Sequence, residues 1–166
     1  MRGLTLIESL LAMAIAAILL TGGVATFRGA LLRLQLTAVT NDLVLAINLA
    51  RAEATARHAR VAIVPRAVND WASGWHVFID ANDNGQFDSG ETVVRTFDPV
   101  PARLTIEPTF GSFDGHVLSF DRVGLLRRPG SNGMLLGRVT LTSEADVRTL
   151  CFSAASVRVV RAAACS

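Results

Sequence analysis

Gly3-Leu4-Thr5-Leu6-Ile7-Glu8 is the stretch on which the reading of this chain turns. Glu8 is the lone charge in an apolar segment that runs from Leu4 to Phe27. About 20 apolar residues cross a bilayer as a helix, so the segment is long enough to do so. A carboxylate in such a helix costs roughly 2.5 to 3.5 kcal/mol at the centre and less near an end, and it marks function where it is kept. A secretory signal peptide puts charge before a short apolar core and a small-residue cut after it, whereas here the acid precedes the core. An ordinary uncleaved anchor satisfies the hydropathy but leaves Glu8 without a role.

Beyond Phe27 the apolar pattern becomes periodic. Leu32, Leu36, Val39, Leu43, Ile47, Ala50 and Ala54 recur at steps of three or four, which is one face of a helix. The spacing predicts one helix running unbroken from membrane into solvent, supported by a Glu53/Arg57 pair, with Gly22-Gly23 the place for a bend. From Val61 the period falls towards two and turn residues multiply. Strands are expected near 60–64, 75–79, 92–97, 103–107, 117–120, 138–142, 149–152 and 157–160, with a loop over 127–133. The fold class is therefore α+β, with the second half of a long N-terminal helix packed on an antiparallel β-sheet.

Gly3-Leu4-Thr5-Leu6-Ile7-Glu8 resembles the processing signal of type IV pilins and type II secretion pseudopilins. Leu49-Ala50-Arg51-Ala52-Glu53-Ala54, followed by Arg57 and Val61-Ala62-Ile63-Val64, is similar to the GspH/FimT branch of those families. The resemblance implies a pilin-like fold and cleavage by a prepilin peptidase between Gly3 and Leu4, with methylation of the new N-terminus. Leu4 stands where that family usually has Phe. Residues 1–3 become a leader, 4–27 the transmembrane and assembly helix, 28–59 an amphipathic continuation and 60–166 a β-rich periplasmic domain. The same likeness places the subunit in the bacterial inner membrane, N-terminus cytoplasmic, until it enters a filament. There Glu8 would neutralise the N-terminal amine of an adjacent pilin or pseudopilin subunit.

Charge is unevenly distributed although its net is only +2. From Asp70 to Asp121 nine acids face two arginines, and from Arg122 to Ser166 seven arginines face two acids. Such asymmetry suits a polyanion or an acidic neighbour, or a fold in which the two regions neutralise each other. FimT-like members carry a C-terminal Gly-Arg-x-Arg-like segment implicated in binding DNA. The tail here, from Cys151 to Cys165, keeps two arginines, Arg158 and Arg161, without the glycine and with a wider spacing. On a strand, side chains three apart point to opposite faces, so these two converge only through a bulge or turn. Arg138 and Arg148 are the further candidates for contacting phosphate, and scattered solubilising arginines are the alternative reading. In an exported chain the only two cysteines, Cys151 and Cys165, are expected to pair.

Asp80-Ala-Asn82-Asp-Asn84-Gly85-Gln86-Phe-Asp88-Ser-Gly-Glu91 satisfies the EF-hand loop pattern. Asp80, Asn82, Asn84, the Gln86 carbonyl, Asp88 and Glu91 would then be calcium ligands, with Gly85 at the sharp turn. Strand-like flanks make a plain polar hairpin turn the competing reading. His58, His76 and His116 are isolated, and no nucleophile elbow, HExxH or phosphate-binding glycine loop occurs, so no catalytic residue is nominated.

The function these features imply is that of a prepilin-type minor subunit of a type IV pilus, FimT-like, with a role in DNA uptake open. The first alternative is a GspH-like minor pseudopilin of a type II secretion system. The second is a membrane-anchored calcium- or DNA-binding module outside any filament. The cysteine pair and basic tail favour the pilus.

Overall fold

The computed structural model describes residues 5–110, 116–153 and 155–165. The chain opens with α1, Leu6–Arg57, which at 1.5 Å per residue is about 78 Å long. It continues as helix through Gly22-Gly23. It stops at His58, which turns left-handed (φ 50°) and sends its backbone N–H to the carbonyl of Ala54. In the last turn Arg57 ion-pairs with Glu53 as their spacing predicts.

Nine strands follow among the described residues, all paired antiparallel. β1 (Val61–Ala67), β2 (Asp70–Ile79), β3 (Val93–Thr96), β5 (Leu118–Phe120) and β6 (Leu126–Arg127) form one sheet in the order β3-β2-β1-β5-β6. β4 (Thr105–Phe110), β7 (Gly137–Thr142), β8 (Val147–Phe152) and β9 (Val157–Val160) form a second, in the order β4-β7-β8-β9. The sequence predicts one sheet of eight strands, and the difference has two causes. β6 has only two residues, too short to show a period. It is held by the Asp121 turn, whose carboxylate accepts the N–H groups of Val123 and Leu125 and the Nε of Arg127 at 3.1 Å. The sheets separate after β3, where Pro99 and Pro101 supply no N–H to a ladder.

One face of α1 closes the core against both sheets. Leu36, Leu43, Ile47, Ala50 and Ala54 are buried with Val61, Ile63 and Phe120 of the first sheet and Val139, Leu141 and Leu150 of the second. β1 reads Val-Ala-Ile-Val without alternation because it is covered on both sides. Ala62 and Val64 face away from α1 and pack with Phe78 and Val117. Phe87 of the β2–β3 loop closes over this second cluster, its ring 5.2 Å from Phe78 and 5.3 Å from His76. Trp71 and Trp75 are buried packing anchors, Trp75 stacking on Phe97 at 5.3 Å. Gly74 lets them meet. Its φ is 84°, and a Cβ there would collide with the carbonyl oxygen of Phe97.

Leu43 is fully buried, whereas Leu45, two residues on, is 44% exposed. Leu43→Ala is expected to lower the unfolding free energy by about 2–5 kcal/mol and Leu45→Ala by no more than about 0.5 kcal/mol, measured by urea denaturation of the purified protein.

Candidate functional site

The functional candidates occupy three places. The first is the free end of α1. Thr5 is extended and Glu8 lies in the first helical turn, where a carboxylate complements the helix dipole. The Glu8 backbone N–H donates to the Thr5 carbonyl at 3.1 Å. Every residue from Thr5 to Ala17 is exposed, with Leu6, Ile7 and Met13 each more than 70% open. Nothing in the folded domain covers this apolar surface, so Glu8 stands in a bare hydrophobic rod. Gly3 and Leu4, the expected cleavage and methylation positions, lie outside the described residues.

The second place is the β2–β3 loop, where Asp80, Asn82, Asn84, Gln86, Asp88 and Glu91 come together as a hairpin between strands. Gly85 makes the turn at φ 70°, and a Cβ there would meet Pro129 at 2.5 Å. The loop's acceptors are engaged by its own donors. Asp80 takes the N–H of Gly85 at 2.9 Å and of Asn84 at 3.2 Å. Glu91 takes those of Ala81 and Asp88, both at 3.0 Å. Asp88 Oδ2 takes the side-chain amides of Asn82 at 2.9 Å and Asn84 at 2.7 Å. Burial raises the Asp80 carboxyl above its ordinary range, helped by nearby Glu91 and opposed by the loop amides. The two Asn side chains hold the exposed Asp88 below that range. Among the described residues no three His, Cys, Asp or Glu side chains are arranged as a metal cluster. The local geometry is that of a self-bonded polar turn whose Phe87 caps the back of the first sheet.

The third place is the C-terminal sheet, where register sorts the arginines. Arg138, Cys151 and Arg158 are direct cross-strand partners, so their side chains share the face turned away from α1. Arg138 and Arg158 are both exposed there, one on each side of Cys151. Arg148 pairs with the core residue Leu141 and so points the other way. Its Nε meets Asp146 at 3.4 Å and its terminal nitrogen donates to Thr37 Oγ1 of α1 at 3.3 Å. With a side chain only 13% exposed, Arg148 ties β8 to the helix, and the expectation that it joins an open basic patch is corrected.

The tail completes this face. Cys151 and Cys165 form a disulfide with a Cα–Cα distance of 5.8 Å. That bond folds the segment after β9 back over the sheet. Thr149, on the outer face, is fully buried as a result, and its hydroxyl donates to the Ala162 carbonyl at 2.5 Å. Arg161 follows the end of β9 and lies near Asp146. The Asp146 carboxyl is held low chiefly by the Val147 N–H, with Arg148 and Arg161 assisting. Arg158 sits beside Cys151 while Arg161 reaches the other end of β8, so the two do not share one spot. The resemblance to FimT-like tails selected Arg158 and Arg161, whose spacing on a strand sets them on opposite faces. The signal that pairs Arg158 with Arg138 instead is strand register, which no local motif contains.

Comparison with known proteins agrees with this architecture. Residues 39–156 match the family model of the type II transport protein GspH. Over 154 residues, 92% of this chain and 93% of the other, the sequence is 30% identical to the pilin-like protein PilA1 of Thermus thermophilus. Two crystal structures of the type IV minor pilin FimU of Pseudomonas aeruginosa have the same fold, each with a TM-score of 0.53. They are 20% and 19% identical, covering 78% and 75% of this chain and 90% and 91% of theirs.

Cys165→Ser is expected to free the tail and lower stability by about 3 kcal/mol, the chain-entropy value for a loop of this size. Denaturant unfolding measures the loss of stability. Faster amide exchange along β8, beside Thr149, reports the release of the tail.

Proposed function

The chain belongs to the GspH family and carries the fold of structural pilin subunits rather than enzymes, and from that premise we propose that it is a prepilin-type minor subunit of a type IV pilus. The observation that carries this is the bare apolar start of α1 with Glu8 in its first turn. Before assembly that rod rests in the inner membrane, with Arg2 on the cytoplasmic side and the β-rich domain in the periplasm. A prepilin peptidase cuts between Gly3 and Leu4 and Leu4 becomes the methylated N-terminus. In the filament the rod exchanges lipid for the helices of neighbouring subunits, and Glu8 neutralises an adjacent N-terminal amine. Pairing removes two charges that would each be costly in an apolar core. The pilus is favoured over a secretion pseudopilus by the likeness to PilA1 along nearly the whole chain and by the C-terminal cysteine frame.

Mass spectrometry of the protein from cells with and without the peptidase tests this. The mature chain is expected to begin at methylated Leu4, and Glu8→Ala is expected to be cleaved but depleted from the sheared filament fraction. A chain that retains residues 1–3, or one released after loss of the whole apolar segment, refutes the proposal.

A second reading, DNA contact by the outer face of the C-terminal sheet, is supported by the Arg138–Cys151–Arg158 row. Guanidinium groups bridge phosphate oxygens without reading sequence, and such binding weakens steeply with salt. In a gel shift at low salt, Arg138→Glu with Arg158→Glu is expected to abolish retardation of duplex DNA while Arg148→Glu acts only through stability. Unchanged retardation by the double variant removes this reading.

A further inference from the structure

The first sheet carries a cavity on the face turned away from α1. It measures about 580 Å³, within the size range of small-molecule sites. Val64 and Val117 of the second apolar cluster form its floor, and Phe87 walls one side. Exposed residues of two connections make the rim, Val68 and Asn69 from the β1–β2 turn and Asn84 and Gln86 from the β2–β3 loop. His76 enters from β2, opposite Val64 in the ladder, and His116 stands just before Val117. The His76 ring is fixed in place, its Nδ1 lying 2.9 Å from Thr96 Oγ1 and its face against Phe87. His116 Nδ1 is buried and has no hydrogen-bond partner among the described residues. An unbonded buried ring nitrogen is costly, and a ligand that bonds it removes that cost.

Charge in this cavity has one sign. The stretch from Asp70 to Asp121 holds nine acids and two arginines, yet no acidic side chain is among the described residues that line the cavity. Arg66 of β1 lines it and forms no salt bridge among the described residues. Burial, assisted by the Arg66 charge, holds His76 below its ordinary pKa, so at pH 7 its imidazole offers a hydrogen bond rather than a second charge. A guanidinium fork and two imidazoles above an apolar floor suit a ligand with a single negative charge on an apolar body. A phosphate monoester brings about 1.5 to 2 negative charges at pH 7, which one guanidinium does not balance. We propose that this cavity binds an organic carboxylate, its anionic end on Arg66, His76 and His116 and its apolar body on Val64, Val117 and Phe87. A free organic acid and the carboxyl terminus of a peptide ending in an apolar residue share this chemistry.

The chain has three histidines, and His58, at the end of α1, does not line this cavity, so histidine ring resonances report the site with an internal control. The test is nuclear magnetic resonance of the full chain, labelled at histidine in detergent micelles, titrated with benzoate, with its neutral isostere benzamide and with inorganic phosphate. Benzoate is expected to shift His76 and His116 saturably and to leave His58 in place, with benzamide and phosphate binding about tenfold more weakly or worse. Arg66→Gln, at an exposed position, is expected to weaken benzoate by about tenfold with the His58 resonance unchanged, and Arg66→Lys to recover part of the loss. Equal responses to benzoate and benzamide, or to benzoate and phosphate, overturn the proposal. So do movement of all three histidines together, no movement, or full affinity in Arg66→Gln. An acetylated tripeptide ending in phenylalanine separates the two sources. Binding tighter than benzoate identifies a chain terminus as the ligand and weaker binding a free acid, whereas a C-terminally amidated peptide that binds as well as the free one overturns carboxylate recognition.

Discussion

One helix is asked to serve two environments, and the rest of the structure depends on how it divides between them. From Leu32 onward α1 lays Leu36, Leu43, Ile47 and Ala50 against both sheets. Fully burying an aliphatic side chain of this kind contributes about 1.5–3 kcal/mol, so a handful of residues on one helical face holds both sheets in place. From Thr5 to Ala17 no sheet lies beneath the helix, and the same apolar chemistry becomes exposed surface. A soluble protein would not tolerate that surface. A pilin-type subunit, which assembles with others of its kind, has a use for it.

The second organising constraint is at the other end of the chain. The Cys151–Cys165 bond pulls the tail back over β8, which buries Thr149 on what would otherwise be an open sheet face. The bond sits between Arg138 and Arg158 in one cross-strand row, so the covalent link, the tail path and the basic face are a single local arrangement. Arg148, three residues before Cys151 on the same strand, is turned by the pleat to the opposite side and engaged by Asp146 and Thr37. The difference between an outward-facing arginine and one engaged at the helix is here one residue of register.

The β2–β3 loop illustrates how a strong local pattern acquires a structural role. Its Asp, Asn and Gly residues stand at EF-hand spacing, yet the strands on either side make it a hairpin, and its amides and carboxylates bond chiefly to each other. Phe87, which the ligand pattern passes over, seals the second apolar cluster against Phe78. The loop thus helps cover the face of the first sheet that α1 does not reach.

What the sequence determined by itself is whatever is periodic or local in the chain. Helical periodicity located the buried face of α1, short apolar runs between turn residues located eight strands, β2 starting five residues earlier than expected, and Glu8 stood out as a lone charge in an apolar run. Only the tertiary structure decided the rest. Splitting of the strands into two sheets, the two-residue β6 and the sorting of Arg138 and Arg158 from Arg148 all depend on which strand lies beside which. Pairing joins residues far apart in sequence, through register and hydrogen-bond geometry that no short window of residues encodes.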